Sequence, residues 1–198
     1  MIFLIGAFTV LHIFFYLRLA FRWRQIPTVY KNESLIPFSV IIPVRNEAKT
    51  IAQILQHLDN QDYPKDLFEV IVVDDFSDDD TVDHVIQSRD SLDVNIRLVR
   101  LEDETKQGKK HALTAGVKAA EHETIITTDA DCWFGKNWIR TYNDTFDDMI
   151  NMVAGPVAIR GKGLFARLQQ VEFSGLMGFG AVTISEENPS MCSGANLG

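Results

Sequence analysis

From residue 38 onward the apolar positions of the chain follow two alternating periods. "FSVIIP" (38–43) is an unbroken apolar run closed by proline, the pattern of a strand covered on both faces. Ile51, Ile54, Leu55 and Leu58 then recur at i, i+3, i+4 and i+7, the stripe of a helix, with Asn46 as its expected N-cap. "NQDYP" (60–64) ends that helix by turn chemistry and a proline. "FEVIVVDD" (68–75) reads as the next strand, and "SDDDT" (77–81) supplies caps for a helix through Arg89. "NIRLVRL" (95–101) predicts a third strand and "EDETKQG" (102–108) a polar loop. "KKHALTAGVKAAE" (109–121) predicts a helix with Leu113, Val117 and Ala120 on one side, and "TIITT" (124–128) a fourth strand. Strands alternating with helices at this spacing predict right-handed βαβ units, a mostly parallel sheet with helices on both faces, and one main domain.

In such sheets ligands sit in the crevice beyond the carboxyl ends of the strands. Residues 43–47, Asp74 with Asp75, and Asp129 with Asp131 each follow the end of a predicted strand, so three distant polar clusters converge on one sheet edge. Asp78, Asp79 and Asp80 fall instead in the first turn of a helix and read as caps. A carboxylate pair at i, i+2 leaving a strand can send one oxygen to a divalent ion and another to a sugar hydroxyl. Mg²⁺ and Mn²⁺ favour oxygen donors and are commonly held by one or two carboxylates plus substrate phosphates. Such an ion would stabilise a departing diphosphate. Asp75 is suited to accept hydrogen bonds from a base edge, and Lys109 to reach a phosphate as a point charge.

The N-terminus departs from this pattern. "MIFLIGAFTVLHIFFYL" (1–17) carries no formal charge, and the apolar character resumes after Arg18. Some 17 to 21 helical residues span roughly 26 to 32 Å, close to the hydrocarbon thickness of a bilayer. Arg18, Arg22 and Arg24 follow the run rather than precede it, which disfavours a cleaved signal peptide; "FRWRQ" resembles an interfacial anchor beside a basic stop, against the alternative of a buried helix. The expectation is a transmembrane anchor over 1–24, with Arg18 snorkelling to the headgroups, a linker over 25–37, and a domain over 38–198 on the cytoplasmic side of the cell membrane. Beyond residue 31 there are 15 basic and 27 acidic residues. So acidic a body excludes a nucleic-acid partner and suits a site for a metal cation. Cys132 and Cys192 show no zinc spacing, and Cys132 reads as a packing residue.

Four ordered segments, "FSVIIPVRNEAKTI", "NQDYPKDLFEVIVVDDFSDDDT", "KQGKKHALTAGVKAA" and "IITTDADC", resemble the family 2 glycosyltransferases and their nucleotide-sugar-binding GT-A fold. They span roughly residues 36 to 135; "MVAGPVAIRG" and "CSGANLG" further resemble that family's later strand and acceptor-side loop. The resemblance implies a donor pocket lined by Pro43, Arg45 and Glu47, with Asp75 at the base and Asp74 beside it. It further implies Lys109 holding the donor, Asp129 near the ribose or sugar, and Asp131 as ligand to Mg²⁺ or Mn²⁺. It implies inverting transfer from a nucleotide-diphosphate sugar, by expectation a UDP-sugar, to a lipid-linked or polysaccharide acceptor of the cell envelope. From the residues alone, Asp74 could equally cap a turn, Arg45 form a surface ion pair, and Glu47 serve a helix start.

Two features depart from the family pattern. Phe76 stands where relatives commonly carry glycine, as does Asp80, which predicts a stiffer loop. The family's catalytic base follows the acceptor loop; none is found up to Gly198, and Glu186 and Glu187 precede that loop, so the chain reads as C-terminally truncated. The segment 163–184 places Leu164, Leu168, Val171, Gly175 and Phe179 on one helical face, suited either to a membrane surface or to packing against a further part of the protein. Two rival functions stand beside the transferase: a phosphoacceptor receiver module, from "VIVVDD" and an acid pocket, and a non-catalytic nucleotide-sugar-binding or scaffold membrane protein.

Overall fold

A computed structural model describes residues 2–26, 32–103, 105, 107–147 and 149–198. The chain divides into two compact units, one formed by Met1–Thr28 with Pro156–Ser193, the other by Val29–Gly155 with Gly194–Gly198.

The second unit is the α/β body. Its strands β1 (Phe38–Val44), β2 (Phe68–Asp74), β3 (Asn95–Arg100), β4 (Thr124–Thr128) and β5 (Asn196–Leu197) form one sheet in the order β3-β2-β1-β4-β5. The first four run parallel and β5 pairs antiparallel with β4. Its helices are α2 (Ile51–Asp59), α3 (Thr81–Ser91), α4 (Lys109–Ala119) and α5 (Trp138–Thr145), with a 3₁₀ turn at Lys65–Leu67.

The continuous apolar runs of β1 and β2 reflect cover on both faces. Val40, Ile42, Val70, Val72 and Ile126 meet Ile51, Ile54, Leu55 and Leu58 of α2, Val85 of α3 and Ile139 of α5. On the opposite face Ile41, Ile71 and Val73 meet Ala112 and Leu113 of α4. The four predicted strands and three predicted helices are all present. Sequence reasoning missed α5 and the 3₁₀ turn, and "CSGANLG", expected as a loop, contributes the edge strand β5. An edge strand of two residues has no run long enough to show a period.

Two capping expectations are corrected. The helix α2 starts at Ile51 with Thr50 in the cap position, whereas Asn46 adopts φ 58° four residues earlier. Its side-chain oxygen accepts the Asp78 N–H at 2.9 Å, so Asn46 ties two loops together. Of the three aspartates before α3, Asp80 holds the cap position without a side-chain cap bond, while Asp79 Oδ1 accepts the Thr81 N–H (3.0 Å) and Oδ2 the Ala48 N–H (3.2 Å).

The other unit contains α1 (Ile2–Trp23) and α6 (Leu164–Ser185). Phe15 and Phe179 meet at 6.3 Å between ring centroids, and Arg18 and Arg22 both pair with Glu186, at 2.8 and 3.0 Å. Arg18 is therefore engaged by a carboxylate rather than free to snorkel, and Glu186 is answered by two guanidinium groups. Among the described residues no helix is long and apolar enough to cross a membrane. Within α1, His12, Arg18 and Arg22 interrupt the apolar run. Of the apolar face expected on α6, Leu164, Leu168 and Val171 are exposed, while Phe179 packs on Phe15.

Candidate nucleotide-sugar site

The strand order defines where a ligand fits. The chain builds outward from β1 through β2 to β3, then returns through α4 to place β4 on the other side of β1. The switch point lies between β1 and β4, the place where open α/β sheets take their ligands, beyond the carboxyl ends of the strands. Pairing between β1 and β4 extends to Ile41 and Thr127. Two residues later comes Pro43, half-buried and with no N–H to donate to a ladder.

At the end of β2 the two aspartates have different surroundings. Asp74 is 2% exposed; its Oδ1 accepts the Ser77 N–H (3.1 Å) and its Oδ2 lies 3.7 Å from Arg100 Nε. It holds the turn, as one of its two readings anticipated. Asp75 is 5% exposed, and both of its oxygens accept the Gly108 N–H, at 3.0 and 2.9 Å. Phe76 follows with φ 59°, a left-handed conformation that a bulky side chain adopts at a cost.

The loop after β1 supplies Arg45 and Glu47. Arg45 is exposed; its Nη1 donates to Gln107 Oε1 (3.2 Å) and lies 3.8 Å from Asp75 Oδ2. Glu47 is engaged at the start of α2, where its Oε2 accepts the Thr50 hydroxyl (2.7 Å) and its carbonyl accepts the Thr50 and Ile51 N–H groups. Its own N–H donates to Thr81 Oγ1 at 2.8 Å.

After β4, Ala130 is buried in the core and flanked by the two aspartates. This anchors the turn through its middle residue and leaves Asp129 and Asp131 on the solvent side. Asp129 is paired with Lys109, the first residue of α4. Asp131 is exposed, and among the described residues its carboxylate accepts no hydrogen bond and joins no ion pair. The structure thus links Asp75, Gly108, Lys109 and Asp129 in one chain of contacts, with Arg45 and Gln107 beside it and Asp131 two residues on. Cys132 is half-buried against the core, as expected of a packing residue.

Gly108, Gln107 and Arg100 are the contributors that sequence reasoning missed. The signal for Gly108 was its place before a helix in "QGKK"; its φ of 102° is one that glycine adopts without strain. Nothing in the sequence marked the other two.

Among the described residues no three of His, Cys, Asp and Glu are grouped to hold a metal ion on their own. An oxygen-only donor set with one unengaged carboxylate fits Mg²⁺ or Mn²⁺ completed by phosphate oxygens and water. It does not fit zinc, which takes nitrogen and sulfur ligands in closed sites.

An α/β sheet with its polar clusters at the carboxyl edge and a switch point beside β1 is the architecture of nucleotide-binding proteins. The model of glycosyl transferase family 2 matches residues 39–196, and the chain belongs to that family. Its α/β fold matches that of GT-A glycosyltransferases: a mannosyltransferase, PcManGT of Pyrobaculum calidifontis, solved with GDP-Man and Mn²⁺, superposes with a TM-score of 0.66 at 31% identity, over 74% of this chain and 43% of that one. The poly(ribitol-phosphate) beta-N-acetylglucosaminyltransferase TarS of Staphylococcus aureus is 36% identical over 54% of this chain and 18% of its own length. Glycosyltransferase AglE of Haloferax volcanii is 35% identical over 63% of this chain and 40% of its own. The chain therefore spans less than half the length of these relatives. Family membership removes the receiver-module reading.

Proposed function

We propose that this chain binds a nucleotide-diphosphate sugar, with uridine as the nucleoside, together with Mg²⁺ or Mn²⁺. In the same reading it forms the donor half of an enzyme that transfers the sugar with inversion to a cell-envelope polysaccharide or glycolipid. The observation that carries the reading is Asp131: an exposed carboxylate without a partner among the described residues, on the turn whose other aspartate is held by Lys109. Family membership supports it, as does a solved relative that contains a nucleotide sugar and Mn²⁺.

The roles follow from the positions. Asp131 ligates the ion, and Lys109 sits where its charge can pass from Asp129 to a phosphate. Asp129 then faces the ribose or sugar. Asp75 offers its open lone pairs to the base, while Pro43, Arg45, Glu47 and Asp74 form the wall and fix its loops. The ion, when bound, offsets the charge of the diphosphate and so makes it a better leaving group.

A membrane location belongs to the same proposal. The side chains of Phe8, Val10, Leu11, Phe14 and Leu17 on α1 are exposed, and Arg18, Arg22 and Trp23 cluster at one end of that helix. An exposed apolar surface of this kind marks a contact with lipid or protein. In this reading the α/β unit lies on the cytoplasmic side and takes a lipid-linked or polysaccharide acceptor.

Calorimetric titration with UDP, with and without Mn²⁺, on wild type and Asp131→Ala tests the site. We expect metal-dependent binding that the substitution weakens by roughly a hundredfold. Binding that needs no metal, or that is unchanged in Asp131→Ala, overturns the assignment.

A further inference from the structure

Asp75 is the acceptor that the proposed donor site offers to a base edge, and part of it is already filled. The Gly108 N–H lies 3.0 Å from Oδ1 and 2.9 Å from Oδ2, between the two oxygens. That fork is the face through which a carboxylate takes two parallel N–H bonds at once. The lone pairs left open on Asp75 are the outer ones, each suited to a single donor. The direction of the Gly108 N–H is built into the turn at the head of α4, where φ 102° favours glycine.

The side-chain groups beside the fork are donors. Arg45 Nη1 stands 3.8 Å from Asp75 Oδ2 and donates to Gln107 Oε1 at 3.2 Å. Beside the oxygen that accepts this bond, the Gln107 amide nitrogen carries two N–H donors.

We propose that this arrangement selects uracil over guanine, with the Gly108 N–H and the Gln107 amide as specificity-determining groups; the inference rests on the donor-site reading above. Uracil presents one N–H between two carbonyl oxygens, which matches a single open lone pair with donors nearby. Guanine presents N1–H and a 2-amino group side by side. That pair needs the fork which Gly108 occupies, and the amino group meets further donors in place of an acceptor. A similar solved structure holds GDP-Man, so similarity does not decide the base, and the groups of this chain decide it.

IDP isolates the fork, because its base is guanine without the 2-amino group. The chain, its folding confirmed by circular dichroism, is titrated calorimetrically in Mn²⁺ with UDP, GDP and IDP. UDP is expected to bind at least about tenfold more tightly than GDP, and GDP no more tightly than IDP. Gln107→Glu keeps the acceptor for Arg45 and removes the donors, and it narrows the UDP-to-GDP ratio at least about threefold. A general loss of phosphate affinity cancels in that ratio. GDP binding as tightly as UDP, GDP about tenfold tighter than IDP, or a ratio unmoved by Gln107→Glu overturns the inference. Binding by none of the three nucleotides removes the donor-site reading itself, and this inference with it.

Discussion

The two edges of one sheet treat carboxylates in opposite ways. At the amino edge Glu69, the second residue of β2, is buried and fully answered. Its Oε1 accepts the Ser39 hydroxyl (2.6 Å) and the Glu121 N–H (2.7 Å), and its Oε2 pairs with Arg97 (2.9 Å). Arg97 also donates to the Ala119 carbonyl at the C-terminus of α4 and to Glu121, at 2.9 and 3.0 Å. The network ties β1, β2, β3 and the α4–β4 connection together. At the carboxyl edge Asp74 is equally buried, but Asp131 is exposed and unanswered among the described residues. A polar network satisfied by its own protein rigidifies the fold. A carboxylate with open valences is available to a ligand. Partner count, not residue type, separates Glu69 from Asp131.

The sharpest way to break this comparison is to remove one acid from each edge. Asp131→Ala should weaken Mn²⁺-dependent UDP binding by roughly a hundredfold by calorimetry and move the melting temperature by less than about 2 °C. Glu69→Ala should do the reverse. Leaving the Glu121 N–H and the Ser39 hydroxyl without their acceptor, and Arg97 with one acceptor fewer, costs about 2–3 kcal/mol in urea unfolding, with nucleotide affinity of the folded protein unchanged. A loss of affinity in Glu69→Ala without loss of stability would erase the distinction.

Acid should act on the amino edge in a defined direction. Burial raises the Glu69 carboxyl, but the Ser39 hydroxyl, the Glu121 N–H and Arg97 outweigh it, so its pKa falls below the ordinary 4.5. A depressed folded-state value stabilises the protein at pH above that ordinary value, and the contribution is lost as pH falls through the folded one. The stability gap between wild type and Glu69→Gln should therefore be constant near neutrality and narrow as pH falls below 4.5. A gap that widens in acid would contradict the network.

The smallest effect concerns backbone strain at the carboxyl edge. Phe76 holds φ 59° between Asp75 and Ser77. Glycine tolerates that conformation, so Phe76→Gly should raise stability by about 1 kcal/mol in the same unfolding assay. A destabilised variant would mean that the ring, half-buried in the loop, contributes more packing than the strain it carries.

Much of this protein was legible locally. Strands buried on both faces need continuous apolar runs, and helices on a sheet need a stripe, so β1, β2 and α2 announce themselves within a few residues. The rule that ligands gather at carboxyl ends then brings residues 43–47, Asp74 with Asp75, and Asp129 with Asp131 to one edge. Other features depended on contacts that no local pattern carries. The strand β5 exists because residues 153–155 and β4 flank it on either side. Arg18 looked free in sequence and meets Glu186, 168 positions away.

The sequence by itself determined which segments become strands and helices and which acids stand at their ends, because burial period and turn chemistry are local properties. Only the tertiary structure decided which of those acids are answered. Asp75 finds the Gly108 N–H 33 positions away, and Glu69 finds Glu121 52 positions away. Whether a carboxylate keeps a valence for a ligand is set by the partners that folding brings to it.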